Sequence, residues 1–184
     1  MFGVPQAFHK YSEDRVIPFC EHYGVCGGCK WQHIPYEAQT RNKQVVVEDA
    51  VQRIAKVPVG DMLPIIPAIK TTFYRNKLEF TFSNKRWLTR KEMEAGVSNY
   101  EDVLGFHRAG AFDKIVNVKH CFLQEDPSNA IRNRVREIAK EQELSFYDLR
   151  ENKGFLRHIM IRVTTIGEVL LIVSFHEDDQ SRIQ

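Results

Sequence analysis

The sequence predicts an α+β domain, with an antiparallel sheet, two main helices on one face of the sheet and an N-terminal cysteine-rich cluster loop. Apolar and polar residues alternate with period two in the middle of the chain, and two flanking segments show helical spacing. The strand segments follow one another through short turns, which favours antiparallel pairing. The length of 184 residues and the apolar content of 43% suit one domain with its own core.

The first helix is predicted from Tyr36 to about Lys56. Pro35 suits the first helical position, because its fixed φ matches the helix and its missing N–H needs no partner. One face carries apolar residues at helical spacing: Val47, Ala50, Val51 and Ile54. The segment 57–60 contains both proline and glycine, so the helix should end before it.

Three strands are predicted in the middle of the chain. Leu78, Phe80 and Phe82 alternate with polar residues, as in a half-buried strand. A second strand is expected from Tyr100 to Arg108 and a short third one from Ile115 to Val118. The polar stretch 84–99 between the first two strands is interpreted as an exposed excursion.

A second helix and a hairpin complete the predicted sheet. Asp126 and Pro127 form a helix start, with Asp126 as the N-cap and Pro127 at the first helical position, and the helix should run to about Gln142. The segments 155–164 and 168–175 are rich in β-branched and apolar residues, and Gly167 marks the turn between them.

The chain is expected to divide at two points. Residues 1–19 have no clear period and are interpreted as a lead-in from a preceding region, and residues 20–176 as the domain itself. The polar residues 177–184 are interpreted as the start of a linker to a further domain. No apolar run is long enough to cross a bilayer and no secretory signal is visible, so we expect a cytoplasmic protein without a membrane partner and a monomer.

The cysteines are the first candidate site. Cys20, Cys26 and Cys29 have the spacing C-x5-C-x2-C, and Cys121 is the fourth and last cysteine. In a reducing compartment, clustered cysteines are more often metal ligands than disulfides. Four thiolates can hold one zinc ion or an iron–sulfur cluster, and a three-plus-one arrangement favours the bulkier four-iron cluster. Cys121 could instead be a buried small apolar residue, although its place at the end of a strand suits a ligand.

A basic stretch with interleaved aromatic residues is the second candidate site. Residues 70–91 contain seven cations and one acid, a net charge of +6, whereas the whole chain carries only +2. Cations bind phosphates and aromatic faces stack on unpaired bases, so this composition suits single-stranded or looped RNA. A solvated charged surface with core aromatics is an equally good interpretation. Arg157, His158 and Arg162 add basic positions on a later strand.

Three motifs in order give the chain a resemblance to a known family. They are Cys20-x5-Cys26-Gly-Gly-Cys29-x-Trp31-Gln32-His33, then Tyr74-Arg75-Asn76-Lys77-Leu78-Glu79-Phe80, then Gly105-Phe106-His107 followed by Cys121. In these motifs the chain resembles the iron–sulfur-containing RNA uracil-C5 methyltransferases, of the 23S ribosomal RNA type. The resemblance extends over about residues 15–176.

The resemblance implies a [4Fe–4S] cluster on Cys20, Cys26, Cys29 and Cys121 and a role in holding folded RNA. The residues expected to contact RNA are Trp31, Tyr74, Arg75, Lys77, Arg86, Arg90, Phe106, His107 and Arg108. The family's S-adenosylmethionine site and its nucleophilic cysteine lie in a later domain, so no catalytic residue is assigned here. This chain alone is expected to be inactive.

The function expected is therefore that of a central domain of an S-adenosylmethionine-dependent enzyme that forms 5-methyluridine, in 23S rRNA. Two other interpretations stay open at this point. The chain could be a stand-alone RNA-binding module stabilised by zinc, or a small redox iron–sulfur protein.

Overall fold

The computed structural model describes residues 7–183, so residues 1–6 of the predicted lead-in and Gln184 of the predicted linker lie outside the described residues. The chain forms two compact units. One contains the described residues up to Glu21 together with Lys30–Thr71, and the other contains His22–Cys29 together with Thr72 to residue 183. The boundaries expected after residues 19 and 176 stay predictions.

The first unit contains helix α1, Tyr36–Asp49, which continues as a π-helical turn over Ala50–Ala55. Lys56 adopts a left-handed conformation with φ of 52° and ends the helix, close to the predicted position. The predicted helix is thus confirmed, although Pro35 is its N-cap and not its first residue. Val47 and Ile54 are 53% and 81% exposed, so the described residues leave much of the predicted apolar face uncovered.

The second unit is built on a five-stranded antiparallel sheet, which confirms the predicted α+β class. Helix α1 belongs to the first unit, so the placement of two main helices on one face of the sheet stays a prediction. Its strands are β1 Lys77–Lys85, β2 Tyr100–His107, β3 Ile115–Asn117, β4 Leu156–Val163 and β5 Val169–Phe175. Their order across the sheet is β3-β2-β1-β4-β5. The central strand is β1, which pairs with a neighbour along both edges. It also has the clearest alternation of apolar and polar residues, because one of its faces is buried.

The core lies between one face of the sheet and helix α3, Ser128–Glu141. Phe80 and Phe82 of β1 are fully buried, and Phe80 packs against Phe106 of β2 with ring centroids 4.7 Å apart. Complete burial of such a side chain contributes about 2 kcal/mol of transfer free energy. The alternating apolar residues of β1 thus fix which face of the sheet receives α3.

Helix α3 begins one residue later than predicted. Pro127 occupies the N-cap, and the Asp126 carboxylate accepts a hydrogen bond from the Asn129 N–H at 3.0 Å. The capping chemistry expected of Asp126 is present, because its side chain still satisfies an N–H of the first turn. The helix ends at Glu141, next to the predicted end.

Most of residues 89–98 are exposed, as expected of the predicted excursion 84–99, but the prediction did not include the helix in this stretch. This short helix, α2, covers Arg90–Glu94. Thr89 and Glu92 form a capping box: Thr89 Oγ1 accepts from the Glu92 N–H at 3.2 Å, and the Glu92 carboxylate accepts from the Thr89 N–H at 2.7 Å. The polar composition concealed the helix, because α2 buries none of its residues.

Gly105 of β2 allows β3 to pair closely. A Cβ at this position would lie 1.9 Å from the Val116 carbonyl oxygen, which is a severe overlap. Glycine is therefore required where β2 passes the segment 116–118. Among the described residues, no helix has both the length and the apolar character needed to span a bilayer.

Candidate cysteine centre and RNA interface

The loop His22–Cys29 packs against the end of β2. Gly27 N–H donates to the His107 carbonyl at 3.0 Å, and Cys26 forms an isolated antiparallel bridge with Arg108. A Cβ at Gly27 would lie 2.9 Å from the same carbonyl oxygen, so the close approach requires glycine. The glycines between the cysteines thus place this loop on the sheet.

The Cys121 segment follows β3 and is fixed by α3. Asn129 brackets Cys121: its Oδ1 accepts from the Cys121 N–H at 2.8 Å and its Nδ2 donates to the Cys121 carbonyl at 3.2 Å. Cys121 is buried, and Cys29 packs against the same apolar cluster. Gly28, which directly precedes Cys29, lies against Leu123 of this segment. The structure therefore places three of the four cysteines around the same end of the sheet.

The four cysteines all lie among the described residues and form no disulfide, which fits a thiolate ligand set. The Gly28 N–H also points at Cys26 Sγ, at 3.4 Å, as a donor to a ligating sulfur would. Among residues 7–183, however, no three or more Cys, His, Asp or Glu side chains are arranged as a site for one metal ion. Cys20 belongs to the first unit, where its N–H donates to Gln32 Oε1 at 3.3 Å. The donor chemistry suits a cluster, whereas the arrangement of the described side chains does not support one.

The exposed part of the predicted RNA interface lies just before and at the start of β1. Tyr74 is 56% exposed, and Arg75 and Lys77 are exposed as well. Their backbone is fixed, because Phe73 N–H donates to the Phe122 carbonyl at 2.7 Å and Arg75 N–H to the Leu123 carbonyl at 2.8 Å. Two cations and an aromatic ring are thus presented on a rigid segment.

Arg86 and Arg90, both predicted to contact RNA, pair with acids of their own chain. Arg86 contacts Glu92 at 2.8 Å and Glu101 at 2.7 Å, and only 21% of its side chain is exposed. The hydrogen bond to Glu92 raises the pKa of Arg86. Arg90 pairs with Glu94 at 2.8 Å but is 89% exposed. Arg86 therefore has a structural role, whereas Arg90 keeps an accessible charge.

The third predicted motif points largely inward. Phe106 packs against Phe80 on the core face, so its ring is not presented as an open stacking surface. The Arg108 guanidinium lies 5.4 Å from the centre of the Trp87 ring, and its Nε is buried without a hydrogen-bond partner. Trp31, in the first unit, is by contrast 39% exposed, with Lys43 Nζ 5.3 Å from the centre of its ring.

A hydrogen-bonded row across the sheet was not predicted. Thr81 Oγ1 lies 3.2 Å from His107 Nε2 and 3.3 Å from His158 Nδ1, and Arg157 Nε donates to His158 Nε2 at 3.3 Å. Burial lowers the pKa of His158, and the adjacent Arg157 charge lowers it further. The basic residues Arg157 and His158 were visible in the sequence, but their connection depends on the register that sets His158 opposite Thr81.

Comparison with known proteins gives homologues along nearly the whole chain. A relative from Bacteroides thetaiotaomicron is 52% identical over 167 residues, which are 90% of this chain and 37% of the relative. Relatives from Porphyromonas gingivalis and Chlorobaculum tepidum are 46% and 37% identical, each over 88% of this chain. All three are named uncharacterized RNA methyltransferases. No protein-family model matches the chain.

The chain is homologous to one part of these RNA methyltransferases, at 37–52% identity over 88–90% of its own length. It spans about a third of their length. Among solved structures, its fold is similar to that of the Pyrococcus abyssi tRNA (uracil-54, C5)-methyltransferase in complex with S-adenosyl-L-homocysteine. That similarity has a TM-score of 0.61 at 22% identity and covers 93% of this chain and 34% of the other.

Proposed function

We propose that this chain is the RNA-holding part of an S-adenosylmethionine-dependent RNA methyltransferase that forms 5-methyluridine. The observation that carries the proposal is the 52% identity over 90% of the chain to a relative named as an RNA methyltransferase. The shared fold with a uracil-C5 methyltransferase supports C5 of uracil as the methylated atom. We further propose that the protein acts in the cytoplasm as a monomer.

RNA is held, in this proposal, by the exposed members of the predicted set. Arg75, Lys77 and Arg90 would contact phosphates, and Tyr74 and Trp31 would stack on unpaired bases. Side chains that already have partners inside the protein, such as Arg86 and Phe106, are not part of this RNA-binding set. Exposure decides which residues belong to the RNA-binding set, because a cation held in two ion pairs must lose both before it can bind a phosphate.

Methyl transfer is assigned to a part of the protein other than this chain. Among residues 7–183 no glycine-rich loop lies between a strand and a helix, and the four cysteines are all assigned to the proposed metal centre. S-adenosylmethionine would bind, and the nucleophilic thiolate would attack, in the remaining length found in the relatives. The role of this chain is then to bind and orient the RNA so that its target base reaches that site.

The cysteines Cys20, Cys26, Cys29 and Cys121 would hold a [4Fe–4S] cluster. Such a cluster, when bound, would tie the cysteine loop to the end of the sheet and could store one electron. Iron and labile sulfide analysis of anaerobically purified protein tests this part, with about four of each per chain expected. One zinc ion per chain, in a colourless sample, would instead establish the zinc-stabilised module.

RNA binding is tested by paired charge removal. The double variant Arg75→Ala, Lys77→Ala should weaken binding to an RNA hairpin, and the slope of log affinity against log salt should flatten by about 0.7 for each phosphate that is no longer neutralised. The control Arg134→Ala, Lys140→Ala removes the same charge from exposed positions of α3. Equal weakening in both double variants would show that general charge, not this surface, binds the RNA.

The identity of the RNA has two candidates. The resemblance of the sequence motifs favours 23S rRNA, whereas the solved structure with the shared fold belongs to a protein that acts on tRNA. Competition between a 23S rRNA hairpin and tRNA for the same protein separates them. We expect the ribosomal hairpin to bind more tightly, and preferential binding of tRNA would reassign the substrate.

A further inference from the structure

A cavity of about 220 Å³ opens on the second unit at the end of β1. Its walls come from the last residues of β1, the start of β2, the segment before β3 and the turn 148–150. The volume is that of roughly seven water molecules, which suits a single small group of a larger molecule. Of the residues predicted to contact RNA, only Arg86 lines it, and Arg86 is already held by Glu92 and Glu101.

Ion pairs join the walls of this cavity to one another. Lys85 Nζ of β1 lies 2.6 Å from Asp148 Oδ2 of the turn 148–150. Arg150 of the same turn donates from Nε to Asp113 Oδ2, before β3, at 2.7 Å. The two pairs connect segments that are far apart in the chain, so the shape of the cavity does not depend on a ligand.

The wall at Asp113 carries an excess of positive charge. Two cations share this one carboxylate, because Lys114 Nζ lies 3.6 Å from the oxygen that also accepts from Arg150. The side chains of Arg150 and Lys114 are 64% and 39% exposed, whereas that of Asp113 is only 10% exposed. The cations therefore face the solvent more than the carboxylate does, and they can bind a phosphate group there.

Tyr100, at the start of β2, adds an aromatic ring to the same cavity. It is 72% exposed, and the pairing of β1 with β2 sets its backbone directly opposite Lys85. Lys85 Nζ lies 5.1 Å from the centre of the ring, and this contact helps to hold the ring in position. An exposed ring on a paired strand is a stacking platform for an unpaired base.

We propose that this cavity binds one unpaired ribonucleotide of the RNA, with its base stacked on Tyr100 and its phosphate bound by Arg150 and Lys114. The inference rests on the proposed RNA-holding role. A lone phosphate or carboxylate would use the cations but leave the ring exposed, so the two features together favour a nucleotide. Every base has a π-face, so the site should accept any of the four bases.

The site would be a second anchor for RNA, distinct from the surface at Tyr74, Arg75 and Lys77. The two lie at opposite ends of β1, Lys77–Lys85, and the rise of a strand places these ends roughly 26 Å apart. A hairpin bound at the first surface reaches the cavity only through an unpaired tail. A stacked strand rises about 3.4 Å per nucleotide, so a tail of about ten nucleotides is long enough.

The experiment compares the affinity of the chain for one RNA hairpin without a tail, with a 5′ tail and with a 3′ tail of about ten uridines. We expect one of the tailed hairpins to bind about tenfold more tightly than the hairpin alone. Tyr100→Ala should abolish this gain, and Arg150→Ala should reduce it. Tyr100→Phe, which retains the ring, and Arg134→Ala, which removes an exposed cation of α3, should keep the gain.

Thermal melting followed by circular dichroism checks that each variant is folded. If Tyr100→Ala does not fold, Tyr100→Leu takes its place with the same expectation, because it fills the position without an aromatic ring. A 5-iodouridine placed in the tail should crosslink to Tyr100 on irradiation. A gain that survives the loss of the ring, or a crosslink confined to another part of the chain, would overturn the proposal.

The same measurements separate this site from the proposed function. If the wild-type chain binds none of the hairpins, the RNA-holding role is refuted, and this site with it. Binding of the hairpin without any gain from a tail refutes only the site. Saturation of the chain by free uridine monophosphate, with no gain from a tail, would assign the cavity to a free nucleotide and overturn its assignment to RNA.

Discussion

Lys85 and Asp148 form an ion pair that is largely shielded from solvent. Lys85 Nζ lies 2.6 Å from Asp148 Oδ2, and the two side chains are only 22% and 9% exposed. The Asp148 carboxylate also accepts from the N–H groups of Arg150 and Glu151 and from Asn84 Nδ2. The Lys85 hydrogen bond and these further donors hold the pKa of Asp148 well below its usual range.

Replacing Asp148 by Asn should therefore destabilise the protein in a pH-dependent manner. A depressed folded-state pKa contributes stability that is complete above the unfolded pKa, near 4, and is lost as the pH falls below it. We expect a loss of about 2 kcal/mol at pH 7 that shrinks steadily below about pH 4. Urea unfolding at several pH values measures it, and Glu94→Gln, at an exposed pair, should change little throughout. A loss independent of pH would show that the carboxylate charge is not what stabilises this contact.

For Arg86, a role in stability and a role in RNA binding predict different effects of the same substitution. Arg86→Ala leaves Glu92 and Glu101 without their cation and should lower the free energy of unfolding by about 1 kcal/mol. RNA affinity and its salt dependence should stay at the wild-type values. A flattened salt slope with unchanged stability would return Arg86 to the RNA interface.

At the scale of elements, the capping box decides whether α2 forms. The helix has five residues and buries none of them, so its stability comes from Thr89, Glu92 and the Arg86 contact. The Arg86 hydrogen bond, followed by those from Thr89, lowers the pKa of Glu92 to about 2. This contribution is present above about pH 4.5 and is lost as the pH falls toward 2.

Thr89→Ala should remove the cap and cost about 1 kcal/mol. Amide hydrogen exchange over residues 89–95 should show the faster opening, while the strands of the sheet remain protected. Thr89→Ser, which retains the hydroxyl group, is the matched control and should behave as the wild type. Equal protection in Thr89→Ala and the wild type would show that the cap does not hold α2.

Substitution of Gly105 tests how closely β2 and β3 approach each other. Gly105→Ala would force a Cβ to within 1.9 Å of the Val116 carbonyl oxygen, so β3 must move away from β2. We expect a loss of more than about 3 kcal/mol, or failure to fold. Gly60→Ala, where no atom lies within 4 Å of the new Cβ and φ is not positive, should be close to neutral. Calorimetric melting of both variants measures the difference, and similar melting temperatures would contradict the close approach.

The features of the fold that depend only on neighbouring residues could be predicted from the sequence. The alternation in β1, the glycine turn of the final hairpin and the Asp126 cap of α3 all follow from neighbouring residues, and each is present. The sequence did not reveal the partners of Arg86, the inward direction of Phe106 or the row through Thr81 and His158. These depend on strand order and register, which bring together residues up to 77 positions apart.

At the scale of the whole molecule, the chain corresponds to about a third of its relatives. We propose that this third binds RNA and that the remainder carries out methyl transfer. The isolated chain should therefore bind an RNA hairpin but transfer no methyl group from S-adenosylmethionine. Methyl transfer by the isolated chain at the rate of the longer protein would contradict this division.

The activity that we propose is methylation of uracil at C5 by a protein that combines this chain with the remaining length found in the relatives. Methylation at C5 must release the C5 hydrogen, so RNA labelled with [5-³H]uridine reports the reaction directly. With S-adenosylmethionine and this RNA, we expect tritium release equal to the amount of 5-methyluridine formed, and a lower rate in the Arg75→Ala, Lys77→Ala variant. Methyl incorporation without tritium release would place the methyl group on another atom and contradict the account.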